Sequence, residues 1–531
     1  MSIQWMTKNL KNRIILSAGI LSYFFLFFMR IPLSRVIGDA GVGLFSPAFE
    51  LFVLTTLVTS YGMSQAMSGI IRYRVKRERY RNAGKVFRTA FFTNLVLAVP
   101  MALFTLFFSS WIADVLVLEH LSRLAVLAAA PCIVLAALVG ALRGYFNGYG
   151  LGGLTAHSQY LEKIAMLAGA LIVGRMLHGY GQKVAALLQV EAHAYAFGAL
   201  GAMLGVMASQ IITLLHLLVL YVLYAGTLKG RLGQDNSRRV ESRFEIQRML
   251  FGNMIPLAVF AVLSNLFMLV DQRFFNYCMN VTERGTVRTA QWGCYYGKFA
   301  ALIGMGAAFS CLSVHGLTGK ISSAYEREEY RGMRERMGRA VRNASMVAFP
   351  MAVYLAVLAK PLSECCYGRP TAQVTVLSGW LQKGAALVVL FTFSFLFGQL
   401  LYKMRMVKEL LLAALASFVL HLAVAYLMVQ RMGLGADGLL VSLIFLFGIY
   451  MALSFVFLNR RVKYKPDWFL GIVFPCAAAA VSGVVVYLLN LVLAEAVGAV
   501  LTILVSAVAG LFFYIFFLMI LRVLGEADLQ E

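Results

Sequence analysis

The chain has 531 residues, of which 61% are hydrophobic and 13% charged, with a mean hydropathy of +0.78. A soluble domain carries about 25% charged residues, so this composition excludes a water-soluble globular protein of this size. The net charge of +23 would point a soluble chain toward nucleic acid. In a membrane chain, Lys and Arg instead collect in cytoplasmic loops. No zinc-finger spacing or aromatic–basic RNA-binding motif accompanies the charge, so no nucleic-acid partner is expected.

Apolar stretches of about 20 residues, the length a helix needs to cross hydrocarbon, recur from end to end. The first, 14–29, follows Lys8, Lys11 and Arg13 and runs into Arg30-Ile31-Pro32 without a small-residue cleavage site. It reads as a permanent span, not a signal peptide. Further spans are expected at 47–70, 90–109, 121–142, 159–176, 193–224, 250–271, 291–316, 343–362, 378–401, 409–429, 438–458, 468–489 and 497–521. The span at 159–176 is short and carries Lys163, whereas 193–224 is long enough to tilt. The expected fold class is an all-α polytopic membrane protein of about 14 transmembrane helices. It divides into an N-terminal lobe (1–225), a cytoplasmic linker (226–249), a C-terminal lobe (250–458) and two additional helices (459–531).

With the N-terminus inside, 33 of the 47 Lys and Arg residues fall in segments that the alternation of spans places in the cytoplasm. That is a strong positive-inside bias. It implies a multi-pass cell-membrane protein with both termini cytoplasmic. Two basic loops stand out. Arg72-Tyr73-Arg74-Val75-Lys76-Arg77-Glu78-Arg79 and the mixed-charge stretch from Glu326 to Arg342 both suit contact with anionic headgroups, and the second reads as an amphipathic cytoplasmic helix. A weak repeat links Arg88-Thr89-Ala90 and Val99-Pro100-Met101-Ala102-Leu103 with Arg342-Asn343-Ala344 and Phe349-Pro350-Met351-Ala352-Val353. It suggests two similarly oriented six-helix lobes, a transporter architecture.

Charges inside spans need a reason, because Lys, Arg or Asp at mid-helix costs about 2.5–3.5 kcal/mol or more. Arg30 ends the first span, with Arg35 following; it either faces a cavity or snorkels to the interface. Glu50 is placed to pair with Arg30 or bind a cation. Lys298 lies well inside the eighth span among tyrosines with no acid nearby in sequence, which suits an anionic ligand in a cavity. Glu162 and Lys163 are adjacent and do not face the same way on a helix, so Lys163 is read as lining a cavity mouth. Asp271 and Arg273 read as interfacial and Lys383 as snorkelling. The seven cysteines form no CxxC pair, and the histidines do not cluster, so no metal site is expected. No Walker A, GxSxG or paired-carboxylate motif is present. No enzyme activity or cofactor is expected, and energy for transport would come from an ion gradient, the membrane potential or substrate supply.

Several stretches resemble the multidrug/oligosaccharidyl-lipid/polysaccharide (MOP) flippase superfamily, in particular its MurJ-like and stage V sporulation protein B-like members. They are Arg30-Ile31-Pro32-Leu33-Ser34-Arg35-Val36-Ile37-Gly38-Asp39-Ala40-Gly41-Val42-Gly43-Leu44, Tyr61-Gly62-Met63-Ser64-Gln65-Ala66 and Ala141-Leu142-Arg143-Gly144-Tyr145-Phe146-Asn147-Gly148. Tyr295 through Ala301 and the Pro350 span add to the likeness, which covers nearly the whole chain. The resemblance implies movement of a polyprenyl-diphosphate-linked sugar, lipid II or a polysaccharide precursor, from the inner to the outer leaflet. It implies a cationic cavity in which Arg30 and Lys298 match arginines of the first and eighth helices, and a lipid-tail groove in the last two helices. Gly297 stands where the MurJ-like pattern has an acid, and no basic residue lies around Thr56, so the implied cargo is a diphosphate lipid rather than lipid II specifically.

The expected partners are thus a lipid-linked oligosaccharide, membrane lipids and a monovalent cation. The substrate-contact candidates are Arg30, Lys298, Lys163 and Arg35, and the coupling or ion-pair candidates are Glu50 and Asp271. Two other readings compete. A cation-coupled multidrug exporter of the same superfamily would favour acidic cavity residues, and a membrane scaffold for envelope synthesis would tolerate loss of Arg30 or Lys298.

Overall fold

The computed structural model describes residues 3–233, 235–237, 239–279, 285–368 and 372–523. The terminal segment 524–531, assigned above to the cytoplasm, lies outside the described residues. Among the described residues the chain is helical, without strands.

In chain order the helices are α1 (Ile3–Thr56), α2 (Met63–Val75), α3 (Tyr80–Phe107), α4 (Ser109–Trp111), α5 (Arg123–Gly148), α6 (Gly152–Leu188) and α7 (Ala192–Leu232). They continue with α8 (Arg243–Leu263), α9 (Phe267–Met279), α10 (Gly285–Cys294), α11 (Ala300–Glu326), α12 (Tyr330–Val357), α13 (Ala359–Tyr367) and α14 (Ala372–Gly384). The last are α15 (Ala386–Lys403), α16 (Val407–Ala425), α17 (Gly435–Val462), α18 (Phe474–Ala496) and α19 (Ala499–Ile520). π-Helical turns at Leu57–Gly62 and Tyr295–Phe299 join α1 to α2 and α10 to α11.

Twelve helical stretches among the described residues are long and apolar enough to cross a membrane. The first, Ala18–Val75, has 58 residues and would be ~87 Å long if straight, nearly three times the hydrocarbon thickness. It breaks at Gly38, whose φ of 76° and ψ of 163° suit a residue without Cβ. The break divides the stretch into two crossings. Helix α6 is not among the twelve, but its 37 residues are ample for a crossing. The architecture therefore agrees with the expected all-α polytopic fold of about fourteen spans, and the chain is a multi-pass membrane protein.

The helices form two compact units, Met1–Gly293 and Cys294–Glu531. In the first, Met63, Met67 and Ile71 of α2 pack with Val86 of α3, Phe146 of α5 and Ile246 and Leu250 of α8. Asn94 of α3 donates to the Ala137 carbonyl of α5 at 2.8 Å. Helices α6 and α7 make a tight hairpin: a Cβ on Gly205 would lie 2.2 Å from the Gly169 backbone, so the two helices touch main chain to main chain.

The segment before α8 is clamped to the α2–α3 turn. Arg74 grips Glu241 with Nε at 3.0 and 3.2 Å from the two carboxylate oxygens. The Asn82 amide donates to the Arg239 carbonyl at 2.8 Å and accepts from the Glu241 amide at 3.0 Å. Ser242 and Glu245 then start α8 with a reciprocal capping box, which satisfies two otherwise orphaned amides. Arg74 is buried; the headgroup contact expected for its loop is replaced, at this residue, by an ion pair with a partner 167 positions away.

In the second unit, α12 receives the last two helices. The Tyr514 hydroxyl donates to the Met346 carbonyl at 3.0 Å, and Tyr354 meets the Ser482 hydroxyl at 3.1 Å. The mixed-charge stretch expected to form an amphipathic helix does so after a turn at 327–329: from Tyr330 it makes the first turns of α12, with Met333, Met337 and Ala340 buried and Arg331, Arg334 and Glu335 exposed, and continues without interruption into the membrane segment.

The internal repeat appears in backbone geometry. Helices α3 and α12 each have 28 residues and carry Pro100 and Pro350 twenty residues after their first residue. Left-handed residues precede them at Glu78 (φ 56°) and Glu328 (φ 60°) and follow them at Leu118 (φ 60°) and Gly368 (φ 70°), each pair 250 positions apart. This register matches the prolines and sets Arg88 against Gly338, not Arg342. The proline fixes a helix irregularity, whereas a basic residue near a loop has no comparable constraint on its position.

Candidate functional site

In a straight helix Arg30 and Glu50 would be ~30 Å apart. The break at Gly38 turns α1 back on itself, and Arg30 Nη2 meets Glu50 Oε1 at 3.1 Å. Both are withdrawn from solvent, at 3% and 5% exposure. The Arg30 guanidinium also lies 5.0 Å from the Phe27 ring centre and 5.8 Å from that of Phe49, within range of cation–π attraction. Arg35, five residues further along, is exposed.

Lys163 does not stand alone at a cavity mouth. Its Nζ donates to Glu162 Oε1 at 2.7 Å, and Arg143 Nη1 meets Glu162 Oε2 at 2.7 Å. Arg143 Nε also donates to the Ser158 hydroxyl at 2.9 Å. Adjacent residues do diverge on a helix, but the four-carbon stem of Lys163 is long enough to curl back to its neighbour. The arrangement gives two cations around one carboxylate.

Asp271 of α9 is fully buried, at 0% exposure, not interfacial as its place near a span end suggested. Beside it in sequence, Gln272 Nε2 donates to the Gly43 carbonyl at 3.2 Å, and its Oε1 lies 2.9 Å from the Ser46 hydroxyl. Trp292 Nε1 donates to Ser46 Oγ at 2.9 Å. A second buried cluster was not visible in the sequence: Glu119 accepts from Arg288 Nη2 at 2.8 Å and from the Thr289 hydroxyl at 2.7 Å. Arg273, by contrast, is exposed and donates to the Val115 and Leu116 carbonyls. Together these contacts seal the second half of α1 and the α4–α5 connection against α9 and α10.

In the second unit, Lys298 sits on the π-helical turn Tyr295–Phe299 at 2% exposure. Its ammonium is 3.5 Å from the centre of the Tyr367 ring, and the Tyr367 hydroxyl donates to Cys294 Sγ at 3.0 Å. Tyr295 packs on Phe299 at 5.0 Å and edge-on to Trp380 at 5.6 Å between ring centres. The extra residue of a π-turn shifts side chains around the helix, a distortion that recurs at functional positions. Lys383 is not merely snorkelling: its Nζ pairs with Asp437 at 2.9 Å, with both groups partly exposed. Among the described residues, no group of three or more His, Cys, Asp or Glu is placed to hold a metal ion.

Against known proteins, residues 10–221 match the family described as polysaccharide biosynthesis protein. The chain is 24% identical over 364 residues to Stage V sporulation protein B of Bacillus subtilis (strain 168), covering 68% of this chain and 67% of that protein. Its fold superposes on the lipid II flippase MurJ in an inward closed conformation with a TM-score of 0.66 and 12% identity, covering 95% of this chain and 98% of that one. It superposes on an inward-facing multidrug resistance MATE family transporter with a TM-score of 0.60 and 16% identity, covering 85% and 98%. The chain thus has the fold of the MOP-superfamily transporters, with a region at residues 10–221 that matches the polysaccharide biosynthesis protein family.

Proposed function

We propose that the chain is a flippase that moves a polyprenyl-diphosphate-linked sugar, lipid II or a polysaccharide precursor, from the inner to the outer leaflet by alternating access. The observation that carries this reading is a buried cation in the membrane segment of each unit, Arg30 and Lys298. A diphosphate cannot enter hydrocarbon without its charge being offset, and Arg and Lys form strong charge-assisted hydrogen bonds to phosphate oxygens. The likeness to the MurJ flippase and to Stage V sporulation protein B supports the same cargo class.

In this reading Arg30 and Lys298 contact the diphosphate. Glu50 holds Arg30 until an anion competes for it. Lys163, held with Arg143 by Glu162, and exposed Arg35 serve on the approach. Asp271 and Glu50 are the acids available to couple a monovalent cation to transport. The protein is a carrier and not a catalyst. The two lobes are 1–225 and 250–458, joined by the 226–249 linker and followed by the helices of 459–531, with both termini cytoplasmic; the matching geometry of α3 and α12 supports this division.

The test is reconstitution in liposomes with defined diphosphate lipids, following exposure of the headgroup to an external probe. Wild-type protein should expose it, and Lys298→Ala should slow the exposure at least tenfold, the effect of losing about 1.4 kcal/mol. Equal rates would remove Lys298 from the mechanism, and no movement of any diphosphate lipid would overturn the reading. A cation-coupled drug exporter is the second reading. The buried acids Glu50 and Asp271 favour it, and uptake of a cationic dye without lipid movement would select it.

A further inference from the structure

Helix α6 has two faces of opposite character. Gly169 and Gly181 are turned toward α7, where an added Cβ would press on its main chain or on Phe197, and Gly174 is in ordinary contact with Ile37 of α1 and Ala202 of α7. The other face carries Ile172, Arg175, Met176, Gly179, Tyr180 and Lys183, which line an open cavity of about 590 Å³. These positions follow the three- and four-residue steps of a single helical stripe.

At the middle of the stripe is a notch. A Cβ on Gly179 would meet nothing within 4 Å, and one cation stands a helical turn to either side. Arg175 and Lys183 are both exposed, and neither has a hydrogen bond or ion pair among the described residues. No acid lies on α6 after Glu162. The two cations are eight residues apart, ~12 Å along the axis, so their long side chains can close on a group seated at Gly179. Ile172 and Met176 present exposed apolar surface below them. The Tyr180 ring is braced edge-on against Phe197 of α7 at 5.4 Å, forming a fixed wall beside the notch.

We propose that this notch is a binding site for an anionic phospholipid of the surrounding membrane, with the phosphate between Arg175 and Lys183 and an acyl chain along Ile172 and Met176. Charge complementarity selects an anionic over a zwitterionic headgroup, and the apolar floor selects a lipid over a free phosphate. The rigid α6–α7 hairpin keeps the site formed before the lipid arrives, which lowers the ordering cost of binding. The site is distinct from the buried cations Arg30 and Lys298 and does not depend on the cargo assigned to them.

The experiment is native mass spectrometry of the full chain released from membranes of phosphatidylglycerol and phosphatidylcholine. Wild type should retain one phosphatidylglycerol that Arg175→Gln/Lys183→Gln does not. Each cation removed should weaken retention about fivefold, equivalent to ~1 kcal/mol per basic residue in the headgroup layer. Gly179→Leu, which fills the notch without altering charge, should abolish the same adduct while the chain stays folded. Equal retention of the two lipids by wild type, or an unchanged preference in the double variant, would overturn the proposal. Displacement of the adduct by soluble glycerol phosphate would also overturn it, in favour of a simple phosphate site. None of these readouts involves lipid translocation, so failure here is separate from failure of the flippase reading.

Discussion

The Arg30–Glu50 pair permits a test that separates structure from transport. Both groups are nearly excluded from solvent and meet at 3.1 Å. Removing one partner of a buried pair leaves a desolvated charge, at a cost of about 3–5 kcal/mol, whereas replacing both with apolar residues of similar volume is often neutral or stabilising. Glu50→Leu and Arg30→Met should therefore each lose about 3 kcal/mol or more, a factor of over a hundred in the folding equilibrium. The double variant should recover most of it. The assay is a double-mutant cycle on unfolding in mixed micelles, read by tryptophan fluorescence, with headgroup translocation measured on the same four proteins. Recovery of stability without recovery of translocation places the Arg30 charge in the transport step. Single variants within ~0.5 kcal/mol of wild type, the range of ordinary surface changes, would refute the claim that the pair is desolvated.

Tyr367→Leu should remove the ring beneath Lys298 and destabilise the second unit by about 1–2 kcal/mol, the scale of a desolvated cation–π contact, while Tyr367→Phe keeps the ring; melting of the two variants distinguishes them. Gly205→Ala should sharply lower the folded yield, because its Cβ would lie 2.2 Å from the Gly169 backbone. Gly179→Ala should raise stability by up to ~1 kcal/mol through helix propensity, since its Cβ meets nothing; thermal melts would show the contrast. The Asp235 carboxyl, outside the membrane, is disfavoured by burial, but hydrogen bonds from the Arg81 amide and from Ser237, with the Arg81 guanidinium, outweigh this and hold its pKa below the ordinary carboxylate range. A lowered carboxylate pKa contributes stability that is complete above the unfolded value and is lost as pH falls through the folded one. Hydrogen exchange at Asn236 and Ser237, whose amides donate to the Glu78 carbonyl and to Asp235, should thus show protection unchanged from pH 8 to about 5 and rising exchange, corrected for intrinsic rate, only below the ordinary carboxylate range. In Asp235→Asn that acid-dependent opening should disappear.

The membrane spans were legible because hydropathy over twenty residues is a local property, and the alternation of basic loops adds a global check. A carboxylate at Glu50 was also visible as a possible partner for Arg30, since both lie in apolar surroundings where an unpaired charge is costly. The rest depended on contacts that sequence spacing does not encode. Arg74 finds Glu241 across 167 positions, and Arg288 finds Glu119 across 169. The pairing of Lys163 with Glu162 was missed because helical periodicity describes Cβ directions, not the reach of a flexible stem. Asp271 was misread because nearness to the end of an apolar run does not determine whether neighbouring helices cover it. Arg175 and Lys183 drew no notice because isolated basic residues near a span end usually signal only the interface; the empty space at Gly179 between them is a property of the folded helix face.

The shared 250-residue offset of α3 and α12 supplies an internal ruler. A proline at the same step of two equally long helices removes one backbone hydrogen bond at the same place in each, a feature of the scaffold rather than of either half's cargo. Specialisation should then be sought where the two copies disagree at equally covered positions. Asn94, which ties α3 to Ala137, has Ala344 as its counterpart, and both are buried. Exchanging those two residues would ask whether one half acquired an anchor that the other has never required.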